Sequence, residues 1–172
     1  MTGTGELHDC ILLLILGAAA VSDLKFLRIG NRLLLAGMAA ATLTHMAEPA
    51  LPETGALTAG LLYEMVMLWM FAHHMTGGGD VKLNALILYT KPDGTGLRIL
   101  VFGLLLGAVF GSGKLLMTGM WRERIRYIKR YMQRNTGEGS FAYYLRERDG
   151  SGPVIPMAVF LFAAACLIIL GS

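Results

Sequence analysis

The sequence predicts an all-α protein that crosses a membrane about six times. Of its 172 residues, 55% are hydrophobic and only 16% are charged, whereas soluble domains carry about 25% charged residues. The hydrophobic residues fall into separate runs, several of which approach the roughly 20 residues that a helix needs to cross the hydrocarbon layer. We therefore expect a single membrane-embedded domain over residues 1–172, without a cleavable signal peptide.

Six apolar runs account for the predicted helices. They cover residues 7–21, 33–46, 57–75, 81–89, 97–117 and 154–170. The third, fifth and sixth are long enough to span a membrane, and the first two are marginal. The fourth run is too short and follows three glycines, so we expect its helix to begin inside the protein. Irregular backbone at membrane depth is tolerated where it is buried or lines a cavity.

The basic residues predict the orientation. With the N-terminus outside, the inner segments are 22–32, 76–82 and 118–153, and they hold twelve of the fifteen lysines and arginines. The positive-inside rule then places both termini outside. The basic cytoplasmic segment 118–153, between the fifth and sixth runs, is typical of an interfacial helix on anionic lipid headgroups or of an ordinary inner loop. Because the bilayer accounts for this charge, we do not expect nucleic-acid binding.

Two aspartates stand at the ends of apolar runs. Asp23 closes the first run, and Asp80 precedes the fourth. A carboxylate at membrane depth is costly and usually functional, and the predicted orientation brings both to the cytoplasmic side. One carboxyl of such a pair can take a proton from water while the other donates one to a scissile carbonyl. Alternatively, each aspartate is a helix cap paired with a nearby lysine, Lys25 or Lys82.

Two glycine patterns suggest different purposes. Gly77, Gly78 and Gly79 precede Asp80, where a missing Cβ lets substrate backbone approach; we expect Gly79→Ala to reduce turnover. The other glycines recur every fourth residue in the fifth run, at Gly103, Gly107 and Gly111. This spacing is typical of close helix packing, so we expect Gly107→Ala to reduce stability rather than chemistry.

We expect no metal and no cofactor. The sequence contains no CxxC pair, and His73 and His74 lack further ligands at suitable spacing. Cys10 and Cys166 both fall in apolar runs, toward the outer face of the predicted topology. Two buried free thiols are the expected state, with a disulfide as the alternative.

Three segments, in order, resemble motifs of the type IV prepilin peptidases. The sequence GGGDVKL at 77–83 resembles their GxGD motif. The sequence DLKFLRIGN at 23–31 resembles their other aspartate segment, in which basic residues and Ile-Pro-Asn follow the aspartate; here Gly30 replaces the proline. Residues 155–156, Ile-Pro, are similar to their late Ile-Pro motif.

The resemblance implies a metal-independent aspartic endopeptidase of the inner membrane, with Asp23 and Asp80 as its catalytic pair facing the cytoplasm. Its partners would be the bilayer and a membrane-anchored, prepilin-like substrate that loses a basic leader. The cysteine-containing domain of bifunctional, N-methylating members is not seen, which implies the short, peptidase-only branch. The residues expected to line the site are Gly77, Gly78, Gly79, Lys82, Lys25, Asn31 and Pro156.

Two other functions fit parts of the sequence. The chain would be a non-catalytic scaffold of a pilus or secretion machine if the aspartates were vestigial. It would be a small proton-coupled transporter if they belonged to a proton relay. A peptidase needs two carboxyls close together, whereas a relay needs acids spread along a path, and Glu64 is the only other obvious acid within a run.

Overall fold

The computed structural model describes residues 4–47, 53–73, 76–117 and 156–171, and this part of the chain is all-α, as predicted. Each predicted apolar run corresponds to one helix. The basic segment 118–153, His74 and Ile155 lie outside the described residues. The six helices are α1 (Thr4–Phe26), α2 (Asn31–Ala47), α3 (Thr54–Ala72), α4 (Gly78–Thr90), α5 (Thr95–Met117) and α6 (Met157–Leu170).

Three helices in the described ranges are long and apolar enough to cross a membrane. They comprise Gly5–Phe26, Thr54–Ala72 and Thr95–Lys114, and Met157–Leu170 forms a shorter apolar helix. α4 has only 13 residues, which agrees with the expectation that its run is too short to span the hydrocarbon by itself. It begins at Gly78, within the glycine run rather than after it, so Gly78 and Gly79 belong to its first turn.

The short helix α4 lies at the centre of the bundle. It packs against α1, α2, α3 and α5, while α6 packs mainly between α1 and α5. This arrangement explains why α4 needs no apolar outer face: its neighbours bury most of its length. The core side chains with almost no exposed surface include Leu12, Leu16, Leu83, Leu86, Ile87 and Leu161.

α3 lies at the edge of the bundle. It contacts α4 and α5, and most of its large apolar side chains face outward, including Leu61, Met65 and Trp69. An outward face of this composition suits contact with lipid rather than water. α3 is therefore the helix that has the broadest apolar surface available to a partner in the membrane.

Two of the three glycines in the α5 stripe, Gly103 and Gly107, face α6, in agreement with the predicted helix packing, and the closer contact is at Gly103. A Cβ at Gly103 would lie 2.8 Å from Leu161 Cδ2 and 3.1 Å from Leu161 Cα. A Cβ at Gly107 would meet Met157 Sδ at 3.5 Å, an ordinary contact. The expected loss of stability therefore belongs to Gly103 rather than Gly107.

Both cysteines are free thiols. The expectation that both are buried is wrong for Cys10, whose side chain is exposed on the outer side of α1, whereas Cys166 is half-buried. An apolar run contains outward positions as well as core positions, and the run alone does not separate them.

Candidate active site

Asp23 is buried in the last complete turn of α1, with 8% of its surface exposed. Its Oδ2 accepts a hydrogen bond of 3.2 Å from the backbone N–H of Ala158. Ala158 lies in the first turn of α6, which has Pro156 as its N-cap. The first N–H groups of a helix have no partner within the helix and attract anions. The Asp23 carboxyl thus accepts one of the free N–H groups at the start of α6, the helix that Pro156 caps.

A tight turn follows Asp23 and leads the chain toward α4. Leu27 donates its N–H to the Asp23 carbonyl at 2.9 Å and has a φ of 51°, a left-handed conformation that is strained for leucine. The Ser22 hydroxyl donates to the Arg28 carbonyl at 2.9 Å. The turn brings Ile29 against Gly79, whose Cβ would lie 3.4 Å from Ile29 Cβ. The segment after one aspartate therefore packs against the segment before the other.

Asp80 is the third residue of α4, after the N-cap Gly77. Its carboxyl accepts a hydrogen bond from the Gly77 backbone N–H, which is one half of a capping box. A Cβ at Gly77 would lie only 3.2 Å from Asp80 Oδ2. Glycine at position 77 therefore leaves room for the carboxyl to fold back on its own helix start.

The carboxyl groups of Asp23 and Asp80 lie close enough for their charges to interact. The charge of Asp23 acts directly on the Asp80 carboxyl, which is itself largely removed from solvent. The C-terminal end of α1 thus meets the N-terminal ends of α4 and α6. Like charges repel strongly in such surroundings, so the arrangement suits a pair in which one carboxyl is protonated and the other ionised.

The alternative in which Lys25 and Lys82 pair with the two aspartates is not found among the described residues. Lys82 Nζ donates instead to Asn31 Oδ1 at 3.1 Å, on the exposed surface. Lys25 is exposed in the last turn of α1, where the helix dipole favours a cation. Both carboxyl groups do lie at helix starts, but they interact there with backbone N–H groups and not with lysine side chains. Asn31 and Lys82 connect α2 to α4 beside the site.

The three glycines differ in what surrounds them. Gly77 faces the Asp80 carboxyl, and a Cβ at Gly78 would lie 3.1 Å from the Phe71 ring on α3. At Gly79 the nearest atoms are at ordinary contact distance, from 3.4 Å. A Cβ at Gly79 would therefore not meet the Asp80 carboxyl, whereas a Cβ at Gly77 would lie 3.2 Å from its Oδ2. Gly77 is the glycine at which a substitution would disturb the carboxyl directly.

The sequence reasoning missed two polar neighbours of the site, Tyr63 and Asn84. The Tyr63 hydroxyl is within electrostatic range of both Glu64 and Asp80. Asn84, four residues after Asp80 on the same face of α4, is only 2% exposed. A polar residue one turn from a candidate acid in an apolar helix was the available signal.

A separate cavity of about 510 Å³ lies toward the other end of α3 and α4. Its wall is largely apolar, with Leu61, Leu88 and Leu97, and Glu64 also lines it. Tyr89, on its rim, is nine residues after Asp80, or about 13 Å along the helix at 1.5 Å per residue. Another rim residue, Lys91, pairs with Asp9. The cavity is therefore distinct from the aspartate pair.

Apolar helices of spanning length, with two neighbouring carboxyls held at helix ends, indicate a membrane protein with a polar site at one end of its bundle. The chain belongs to the type IV leader peptidase family, whose model matches residues 10–113, more than half of the sequence. This match confirms the resemblance and makes the protein a peptidase. Both aspartates lie within the matched range, and Pro156 lies beyond it. No curated protein and no solved structure matches the chain.

Proposed function

We propose that the chain is an aspartic endopeptidase that removes the basic leader from prepilin-like precursors at the cytoplasmic face of the inner membrane. Type IV pilins, Flp pilins, pseudopilins and archaellin-type proteins are the substrate class. One observation carries the proposal: Asp23 and Asp80 are electrostatic neighbours at the meeting point of three helix ends. Membership of the leader peptidase family supports it.

The mechanism needs only the two carboxyls and a water molecule. The ionised carboxyl takes a proton as the water oxygen attacks the scissile carbonyl carbon, and the protonated carboxyl donates its proton to the carbonyl oxygen. When the tetrahedral intermediate collapses, the C–N bond breaks and the leaving amine takes the proton that the first carboxyl had accepted from water. The second carboxyl regains a proton from a hydroxyl of the intermediate, so both carboxyls return to their starting states. The backbone N–H groups of Ala158 and Gly77 orient the carboxyls from behind.

The substrate approaches through the membrane. Its apolar helix packs on the outward face of α3, which presents Leu62, Val66 and Trp69, while its basic leader stays on the cytoplasmic side with the inner basic residues of the enzyme. Lys25 and Lys82 lie on the exposed surface beside the site and contact acidic substrate groups or lipid phosphates. Both termini of the enzyme are outside in this orientation.

A transporter would use the same aspartates differently. A proton relay needs acids along a path through the membrane, whereas Asp23 and Asp80 are neighbours at one end of the bundle. The pairing favours hydrolysis over transport. A scaffold with vestigial aspartates would retain the fold but would cleave nothing.

The test is cleavage of a candidate prepilin by the purified enzyme in liposomes. Asp23→Asn and Asp80→Asn should each lose nearly all turnover, because the two carboxyls act as a unit. Glu6→Gln, which makes the same chemical change at an exposed position of α1, should cleave like the wild type. Near-normal turnover in either aspartate variant would remove that residue from the mechanism.

A further inference from the structure

Three buried polar atoms between α3 and α4 have no hydrogen-bond partner among the described residues: Tyr63 Oη, Glu64 Oε2 and Asn84 Oδ1. We refer to Tyr63, Glu64 and Asn84 as the polar cluster. Leaving a buried polar group without a partner is costly, and native proteins satisfy the great majority of them, often with ordered water. Three such atoms in one part of an apolar interface therefore require an explanation.

The packing of α3 on α4 places Glu64 opposite Asn84. The two helices are antiparallel, because a Cβ at Gly60 would contact Leu88 at 3.2 Å and a Cβ at Gly78 would contact Phe71 at 3.1 Å. Start from the contact between Gly60 and Leu88. Because the helices are antiparallel, moving one turn forward along α3 reaches Glu64, and moving one turn back along α4 reaches Asn84. The two side chains thus lie at the same level of the interface.

The polar cluster extends from the cavity to the aspartate pair. At one end, Glu64 lines the cavity of about 510 Å³. At the other end, Asn84 is one turn from Asp80 on the same face of α4. The Tyr63 hydroxyl lies within electrostatic range of both Glu64 and Asp80. Polar atoms therefore connect the cavity with Asp80 along an otherwise apolar interface.

We propose that the polar cluster binds internal water molecules that link the cavity with Asp80, and that this is how water reaches the aspartate pair for hydrolysis. The second part rests on the proposed function; the first does not. Water is the fitting ligand because it can donate to the amide and carboxyl oxygens and both donate to and accept from the tyrosine hydroxyl. The described residues contain no group of three acidic, histidine or cysteine side chains that would favour a metal ion instead.

Radiolytic hydroxyl labelling with mass spectrometry, on the full chain in nanodiscs, tests the water sites without reference to activity. Internal water generates hydroxyl radicals locally, so Tyr63 should be labelled although its hydroxyl is buried. Asn84→Leu should reduce this labelling at least about threefold, which corresponds to losing most of the water contacts that one amide supplies. Asn84→Ser, which places a hydroxyl where the amide was, should retain part of the labelling that Asn84→Leu loses.

The matched control is Thr90→Val in the same helix. Thr90 is fully buried, but its hydroxyl donates to the Leu86 carbonyl, so its replacement should leave Tyr63 labelling unchanged. Glu64→Leu, which removes the buried carboxyl, is a second test variant in case Asn84→Leu folds poorly, as judged by thermal unfolding, and it should also lower Tyr63 labelling. An unlabelled Tyr63 in the wild type, or labelling as strong as the wild type's in folded Asn84→Leu or Glu64→Leu, would overturn the proposal.

Cleavage kinetics test the supply of water. Asn84→Leu should lower kcat about tenfold or more with little change in KM, because small displacements of reacting groups have effects of this size, and Asn84→Ser should recover much of it. If a variant loses Tyr63 labelling but keeps its kcat, water does not reach the aspartate pair through the polar cluster, and this part of the proposal is overturned. Asp23→Asn should remain labelled at Tyr63 while inactive, so failure of the peptidase assignment is distinguishable from failure of the water sites.

Discussion

Asp80 caps a helix in addition to its proposed part in catalysis. Its carboxyl accepts the Gly77 N–H at the start of α4, and Asp23 does the same for Ala158 at the start of α6. In both cases the helix start fixes the direction of a carboxyl oxygen. The functional and structural explanations of these residues, which the sequence presents as alternatives, are therefore compatible.

Asp80→Asn and Asp80→Ala should separate these two contributions. The asparagine amide oxygen can still accept the Gly77 N–H, so Asp80→Asn should fold normally and cleave nothing. Asp80→Ala should be equally inactive and also less stable, by roughly 0.3–1 kcal/mol for a lost charge–dipole contact at a helix start. Thermal unfolding in detergent measures the difference. Equal stability of the two variants would show that the cap contributes nothing.

Gly77→Ala should reduce turnover more than Gly79→Ala. The new Cβ would lie 3.2 Å from Asp80 Oδ2 at position 77 but meets only ordinary contacts at position 79. A displaced carboxyl can lower the rate about a hundredfold for a shift of about 1 Å. Initial cleavage rates per folded enzyme decide this, with Gly79→Ala as the matched control. If both variants cleave at the same rate, the absence of a Cβ at Gly77 does not determine the position of the Asp80 carboxyl.

At the scale of the helices, the α5–α6 contact depends on one close approach. Gly103 faces both the side chain and the Cα of Leu161, and the backbone of α6 has little freedom to move away. Gly103→Ala should destabilise the protein by about 1–3 kcal/mol, the usual cost of overpacking a core.

Gly107→Ala is the matched control for this effect, since its Cβ meets Met157 Sδ at 3.5 Å, on a flexible side chain. It should unfold close to the wild-type temperature. Both variants are compared by thermal unfolding in the same detergent. A lower unfolding temperature for Gly107→Ala than for Gly103→Ala would contradict the conclusion that Gly103 is the close contact.

Helix positions could be predicted from the sequence, but helix-end partners could not. An apolar run and the glycines before it are local signals, so α4 could be predicted, although it begins at Gly78, within the glycine run, and not after it. The hydrogen bond from Ala158 to Asp23 joins residues 135 positions apart, and no local signal predicts it. The Ile-Pro resemblance at 155–156 implied only that Pro156 lines the site. Tyr63 was missed because its relation to Asp80 arises from the packing of α3 on α4, whereas Asn84, one turn after Asp80 in α4, could have been inferred from the sequence spacing alone.

At the scale of the whole molecule, activity should survive metal chelation. The proposed chemistry uses two carboxyls and water, and a chelator such as EDTA removes nothing from that mechanism. Cleavage of the prepilin should therefore continue unchanged in EDTA, with a zinc peptidase inhibited in parallel as the control. Activity that disappears with EDTA and returns with a divalent ion would overturn the aspartic mechanism.

The bond between Asp23 and Ala158 also has a consequence for biosynthesis. α1 carries one proposed catalytic carboxyl, while the amide that orients it belongs to α6, 135 positions later in the sequence. A nascent chain thus inserts Asp23 and Asp80 before α6 leaves the ribosome. We expect the enzyme to remain inactive during its own insertion until α6 has joined the bundle.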